Sequence, residues 1–240
     1  MVLASGSGSR VGARLNKVYL PIAGRPLVWW SLTAFASIPE ISVLLLVIRQ
    51  QDEALADEVL ASIGRPVEVV HGGASRTESE VCALRRLASR IEAGDIDAVL
   101  LHDAARPMVR PTLIDSVLRH TRAYGGVVPG LACADIGVID DEGSLIDLPR
   151  RPPRRPGEAG GASGLITVQT PQGFRAAELL AAYRRAERDG FTGTDTAACV
   201  QHYTELPVRW VAGDRDNIKV TYPHDLAAVD AALSARMSPP

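Results

Sequence analysis

Along the first half of the chain, short, almost unbroken apolar runs alternate with longer stretches whose apolar residues recur every three to four positions. The runs at residues 2–4, 43–48, 67–70, 98–101 and 126–129 are dominated by Val, Leu and Ile. Continuous apolarity over so few residues predicts strands covered on both faces, as in parallel sheets. Between them, residues 26–37, 51–63, 76–91 and 111–122 carry helical periodicity. Pro26 and Pro111 suit first-turn positions, where a missing N–H costs nothing. Strands alternating with helices predict an α/β fold with a doubly wound, mostly parallel sheet.

The alternation breaks after Pro129. Residues 134–148 read as two short strands around Asp141-Glu142-Gly143, a hairpin signal. Residues 149–161 are rich in Pro, Arg and Gly and are expected to form a mobile loop. The pattern then resumes with an ordered run at 165–170, helices near 176–189 and 195–202, strands at 208–211 and 217–220, and a final helix from Pro223. The expectation is one domain over residues 1–240, with 134–161 as a β-arm and insertion. Only two or three strand residues precede the first glycine loop, whereas a buried strand usually has about five or six. This leaves either an upstream natural start or a short first strand.

Composition narrows the function classes. The chain has 240 residues and 46% apolar content, enough for a large core. With 26 Lys and Arg against 28 Asp and Glu, it lacks the basic bias of a nucleic-acid binder, so an anion site must come from local clustering. The three cysteines, Cys82, Cys133 and Cys199, are widely spaced, which argues against a disulfide framework or zinc site and fits a reducing compartment. No apolar run reaches membrane-spanning length and no signal segment is evident, so a cytoplasmic location is expected.

Five segments carry candidate chemistry. Leu3-Ala4-Ser5-Gly6-Ser7-Gly8-Ser9-Arg10-Val11-Gly12 follows the first strand and is itself followed by Lys17. Small residues there let backbone N–H groups approach a phosphate chain, with Arg10 and Lys17 adding charge. A plain Gly/Ser turn and a dinucleotide fingerprint compete for this loop, but the spacing is G-x-G-x-x-x-G and Lys17 suits a triphosphate better. His102-Asp103-Ala104-Ala105-Arg106-Pro107 follows the strand at 98–101, and ligands of open α/β sheets bind at carboxyl ends of strands. Asp103 is placed to hold Mg²⁺ or to cap a turn, and His102 reads as structural. Gly72-Gly73-Ala74-Ser75-Arg76-Thr77-Glu78-Ser79 also follows a strand and opens a helix, suiting either base and ribose contacts or a simple N-cap. The last two are Gln169-Thr170-Pro171-Gln172-Gly173-Phe174 and Asp216-Asn217-Ile218-Lys219-Val220-Thr221. Lys219, in an apolar strand context, needs either water or an anion.

Together and in this order, the segments resemble the methylerythritol phosphate cytidylyltransferases of the non-mevalonate isoprenoid pathway, and the related ribitol phosphate cytidylyltransferases, from about Val2 to Ala232. The resemblance implies a Rossmann-like sheet, a β-arm exchanged across a homodimer, and a divalent cation, usually Mg²⁺. It implies that Ala4, Ser5, Gly6, Gly8, Ser9, Arg10 and Lys17 hold CTP phosphates, and that Gly72, Arg76 and Ser79 sit near cytosine and ribose. It places Asp103 on metal and ribose, and Arg106 and Lys219 facing a polyol phosphate. Thr194-Asp195 matches a further motif near the site. The implied roles are catalytic for Arg10, Lys17 and Lys219, and substrate-binding for Arg106, Asp135, Arg151, Thr194 and Asp195.

The departures from the family pattern are specific. Ser5 stands where Ala is usual, and Val18 follows the site lysine where Gln or another polar or small residue is usual. The arm reads Asp135-Ile136 in place of Asp-Thr, losing a hydroxyl. Alignment back from Gln169 puts Ala162 at the arm's Arg position; alignment forward from Asp135 puts Arg151 there and keeps both the hairpin length and Pro149. The same chemistry on another polyol phosphate, a non-catalytic CTP-binding paralogue and an NAD(P)-dependent oxidoreductase stand as alternative readings.

Overall fold

The computed structural model describes residues 1–6, 15–133, 138–139, 141, 145–147, 164–191 and 195–237. The elements in chain order are β1 (Val2–Leu3), β2 (Pro21–Ile22), β3 (Arg25–Pro26), α1 (Leu27–Ala36), β4 (Leu45–Ile48), α2 (Glu53–Leu60), β5 (Glu68–His71), α3 (Arg76–Glu92), β6 (Ala98–Asp103), α4 (Pro111–Tyr124) and β7 (Gly126–Ala132). They continue with β8 (Val138–Ile139), β9 (Leu145–Asp147), β10 (Ile166–Val168), β11 (Gln172–Arg175), α5 (Ala176–Asp189), α6 (Thr196–Tyr203), β12 (Val208–Ala212) and α7 (Pro223–Met237).

The central sheet runs β10-β7-β11-β6-β1-β4-β5, with β12 also paired to β7. Strands β5, β4, β1 and β6 are parallel, as is the β12–β7 pair; β11 and β10 run antiparallel to their neighbours. The chain leaves β1 towards β4 and β5, then crosses back to place β6 on the opposite flank of β1. The carboxyl ends of β1 and β6 therefore form a topological switch point, where open α/β sheets leave a crevice.

Side-chain alternation along the strands feeds two cores. Val2, Leu46, Ile48 and Leu100 face α1, α2, α4 and α7, while Leu3, Leu45, Val47, Val99 and Leu101 face α3, α5 and α6. Burial on both faces explains the unbroken apolar runs. Pro111 occupies the first helical turn of α4 as expected. Pro26 does not: it caps α1 with extended backbone and pairs with Pro21 in a small hairpin whose turn residues, Ala23 and Gly24, have φ of 45° and 74°. Positive φ at both central positions is the tight-hairpin geometry, and it holds Pro26 out of the helix.

Two other expectations need correction. Residues 217–220 are not a strand. The Asn217 and Ile218 N–H groups turn back onto the Asp214 and Asp216 carbonyls, and the Val220 N–H docks on Ala105 O at 2.8 Å, so the backbone is spent on turns and on the neighbouring loop. Gln172–Arg175, read only as a motif, is a strand wedged between β6 and β7. The predicted hairpin around Asp141 agrees with the antiparallel β8–β9 pair. Residues 149–161 lie outside the described residues. Among the described residues no helix is long and apolar enough to cross a membrane.

Candidate active site

Four parallel strands end at one cavity of about 420 Å³, lined by Ser5 and Gly6 after β1, Arg49 after β4, Gly73 to Arg76 after β5, and Asp103 and Ala105 at the end of β6. Leu3, Lys17, Val18, Ser79 and Lys219 also line it. The register makes this convergence: Leu3 pairs with Val47 on one side and with Asp103 on the other, so the loops leave the sheet at one level.

The chain just after β1, where the glycine loop begins, is tied down by Asn16. Its fully buried carboxamide donates to Ala4 O at 2.8 Å and to Asp52 Oδ2 at 2.9 Å. Asp52 in turn accepts two bonds of 2.7 Å from Arg49. A turn of 3-10 helix at Lys17–Tyr19 follows, with Val18 and Tyr19 buried, which fixes the stem of Lys17 while its side chain borders the cavity. The Val18 departure therefore fills core.

The start of α3 is held against Ser5, which follows β1, through hydroxyls. Ser5 Oγ donates to Ser79 Oγ at 2.8 Å, and Ser79 Oγ donates to Ser75 O at 2.8 Å. A Cβ at Gly72 would lie 2.5 Å from Ser79 Oγ and 2.9 Å from Ser5 Cβ, so only glycine permits this approach. Ser75 caps α3 by accepting from Glu78 N at 3.1 Å, while Glu78 reaches back to Ala74 N at 2.8 Å. The unusual Ser5 is thus accommodated with a partner.

Asp103 sits at the centre. Its Oδ2 lies 2.6 Å from Lys219 Nζ and its Oδ1 lies 3.4 Å from Arg76 Nη2. Burial works against its ionisation, but the charges of Arg76, Lys219 and Arg106 prevail and hold the carboxyl well below the usual carboxylate range. The backbone around it is fixed by a relay. Asp103 N donates to Thr170 Oγ1 at 3.0 Å, the Thr170 hydroxyl meets His102 Nδ1 at 3.1 Å, and His102 Nε2 meets Arg106 O at 3.2 Å. Because carbonyls only accept, Nε2 carries the proton and Nδ1 accepts from Thr170. Burial pushes the His102 pKa down to about 3, which keeps the ring neutral and the relay in this sense. His102 is structural, as its sequence context suggested.

Lys219 reaches Asp103 because the Gln169-Thr170 segment bridges the two loops. Asn217, fully buried, donates to Thr170 O at 2.8 Å, and Gln169 Nε2 donates to Asp214 O at 2.8 Å. Arg106 Nη1 donates to Asn217 O at 2.7 Å and its Nη2 to Val168 O at 3.2 Å. Two nitrogens of this guanidinium brace backbone carbonyls, one in the 214–220 loop and one at the end of β10, and Arg106 is not among the described residues lining the cavity.

A profile of the IspD family, 2-C-methyl-D-erythritol 4-phosphate cytidylyltransferase, matches residues 1–235. The chain belongs to this family. The 2-C-methyl-D-erythritol 4-phosphate cytidylyltransferase of Synechococcus sp. (strain CC9902) is 35% identical over 240 residues, covering 100% of this chain and 99% of that one. The Thermobifida fusca protein of the same name is 36% identical over 239 residues, covering 97% and 91%. Among solved structures, the 4-diphosphocytidyl-2C-methyl-D-erythritol synthase of Anaerococcus prevotii superposes with TM-score 0.79 at 25% identity, covering 97% of this chain and 95% of that one. The cytidylyltransferase of Thermus thermophilus gives 0.66 at 30%, covering 96% and 97%.

Of the residues expected in a cytidylyltransferase site, the fold brings together Ser5, Gly6, Lys17, Arg76, Ser79, Asp103 and Lys219 on the cavity. Ala4 and Gly72 stand just behind, with Ala4 N bonded to Val47 O at 2.7 Å and Gly72 N to Ile48 O at 2.8 Å. Asp195 caps α6 by accepting from Ala198 N at 2.9 Å and receives Gln172 Nε2 at 3.3 Å, next to the Thr196 that touches Arg76. Gly8, Ser9, Arg10, Asp135, Arg151 and Thr194 lie outside the described residues. Sequence reasoning missed Arg49, Asn16 and Asp52. The rule that strand carboxyl ends carry ligands pointed equally to Arg49, which directly follows β4; Asn16 and Asp52 carry no comparable local signal.

Proposed function

We propose that this chain transfers CMP from CTP to 2-C-methyl-D-erythritol 4-phosphate and releases pyrophosphate. The observation that carries the proposal is the Asp103 carboxylate held by Lys219 and Arg76, with Lys17 on the wall of the same switch-point cavity beside Ser5 and Gly6. A phosphate oxygen of the polyol phosphate attacks the α-phosphorus of CTP. One P–O bond forms there as the bond to the bridging oxygen of the β-phosphate breaks, and pyrophosphate departs with that electron pair. A phosphate is already nucleophilic at neutral pH, so no residue need act as general base. The problem is electrostatic and positional, because two polyanions must be brought together. In this reading the Ser5-Gly6 backbone and Ser79 orient the nucleotide, Lys17 with Arg10 neutralises the triphosphate, and Lys219 draws in the second phosphate.

A divalent cation fits this donor set. Among the described residues no group of three or more His, Cys, Asp or Glu is placed to hold a metal, so the chain offers Asp103 and the triphosphate oxygens would complete the shell. That is the usual manner of Mg²⁺, which binds through one or two carboxylates plus substrate phosphates. When bound, such an ion supplies charge neutralisation at the α-phosphorus.

The remaining parts of the reading follow the family resemblance. Residues 1–240 form one domain, and residues 134–161 form an arm that pairs two copies, with Asp135 and Arg151 reaching the partner's polyol phosphate. Thr194 and Asp195 border the site, and the enzyme works in the cytoplasm. Ile136, which lacks the usual arm hydroxyl, favours a second reading in which the same chemistry serves a different polyol phosphate. Pyrophosphate release from CTP, measured with and without 2-C-methyl-D-erythritol 4-phosphate and against ribitol 5-phosphate, tests both. Release that depends on the methylerythritol phosphate supports the first, release only with ribitol phosphate supports the second, and release with neither rejects both.

A further inference from the structure

Behind the cavity wall lies an acid that the substrates cannot touch. Glu80, one turn beyond Arg76 on α3, is 1% exposed. Its Oε1 lies 2.7 Å from Arg76 Nη1 and accepts from Thr196 Oγ1 at 2.8 Å, while the Tyr183 hydroxyl donates to Oε2. Arg76 Nη1 also donates to Thr196 Oγ1 at 3.2 Å, leaving Nη2 to reach Asp103 at 3.4 Å. Burial pushes the Glu80 carboxyl above the usual carboxylate range, and the Arg76 charge with the two hydroxyls offsets this only in part. A buried ion pair is weak support for stability, since apolar residues of similar volume often serve as well. Its presence calls for another reason.

We propose that Glu80 is a positioning residue for the nucleotide site: it takes the Nη1 edge of Arg76, so that Asp103 meets a single guanidinium nitrogen at Oδ1 and keeps Oδ2 for Lys219 on the cavity wall. This rests on the reading that the cavity receives CTP. A guanidinium matches a carboxylate with two parallel N–H groups whenever it is free to do so. Released from Glu80, the Arg76 side chain, 32% exposed, would close on Asp103 with both nitrogens. Tyr183 on α5 and Thr196 on α6 hold Glu80 in turn, so α3, α5 and α6 together set the angle of Arg76.

The sign of the effect separates this role from others. Deleting a buried negative charge near a triphosphate would, by Coulomb attraction alone, tighten CTP binding. A purely structural acid would lower thermal stability and leave the affinity of folded protein unchanged. Calorimetric CTP titrations of the parent, Glu80→Gln, Arg76→Met and the double variant, with melting temperatures measured alongside, decide the matter. We expect Glu80→Gln to bind CTP about fivefold to twentyfold more weakly, and the double variant to match Arg76→Met within about twofold. Parental or tighter affinity in Glu80→Gln, or additive losses in the double variant, would overturn the proposal. If Glu80→Gln does not fold, Tyr183→Phe keeps the acid but removes one anchor; a twofold to threefold loss supports the proposal and parental affinity overturns it. A parent that binds no CTP overturns the functional reading and this inference with it, whereas a parent that binds beside an unaffected Glu80→Gln overturns this inference alone.

Discussion

Lys219 and Asp103, 116 residues apart, meet at 2.6 Å where the loop after β12 crosses the end of β6. Neither segment would place its charge there alone. Asn217 and Gln169 join them, and the Arg106 guanidinium is drawn into the same join. The contact thus depends on a bridge of side-chain amides and backbone carbonyls behind the charged surface.

Asn217→Ala should break that bridge. It removes the bond to Thr170 O and leaves a buried carbonyl without its partner, a loss worth about 1–3 kcal/mol. The expected outcome is a lower urea midpoint together with at least a roughly tenfold fall in kcat, because Lys219 loses its aim, a positional cost of the kind that misplaced groups impose. Parental turnover in a destabilised variant would show that the bridge supports the fold only.

Lys17→Ala should lower turnover by about 10²–10³, by analogy with a lost transition-state donor. Its side chain borders the cavity while neighbouring Val18 and Tyr19 supply the local core, so the melting temperature should move little. Steady-state pyrophosphate release checks this, and activity within about threefold of the parent would remove Lys17 from the mechanism.

Asp103→Asn keeps the shape and loses the charge that Arg76 and Lys219 stabilise. An amide is a poor ligand for Mg²⁺, the more so beside a Lys219 ammonium that has lost the Asp103 charge. CTP binding measured by calorimetry should lose its dependence on Mg²⁺, and turnover should nearly vanish. An unchanged Mg²⁺ dependence would take Asp103 out of the metal site.

Arg151→Ala tests the arm. A lost charge-assisted contact to phosphate is worth roughly 1.5–3 kcal/mol, about ten- to a hundredfold in affinity. The KM for the polyol phosphate should rise by that factor while the KM for CTP stays close to parental. Mixed dimers of Arg151→Ala with Lys17→Ala sharpen the test. If the arm crosses to the partner, one site collects both defects and the other is intact, so about half the activity returns; little returns if each arm serves its own subunit.

Local pattern alone determined the α/β alternation, the site's position at the carboxyl ends of strands, and the small-residue loops that carry it. Those features depend on periods of two to four residues and on turn chemistry, which neighbours in sequence can specify. Tertiary structure decided the rest. Residues 217–220 read as a strand because Ile218 and Val220 are apolar, yet their backbone is claimed by Asp214, Asp216 and Ala105. Gln172–Arg175 became an antiparallel strand because β6 and β7 leave a gap of one strand between them. The plainest case is Thr77-Glu78-Ser79-Glu80. Two glutamates two residues apart look alike on the first turns of a polar helix, but Glu78 caps the exposed amino terminus while Glu80 faces Arg76, Tyr183 and Thr196 in the interior. Only the packing of α5 and α6 against α3 brings Tyr183 and Thr196 to the second acid, and that packing follows from sheet order, which no local period encodes.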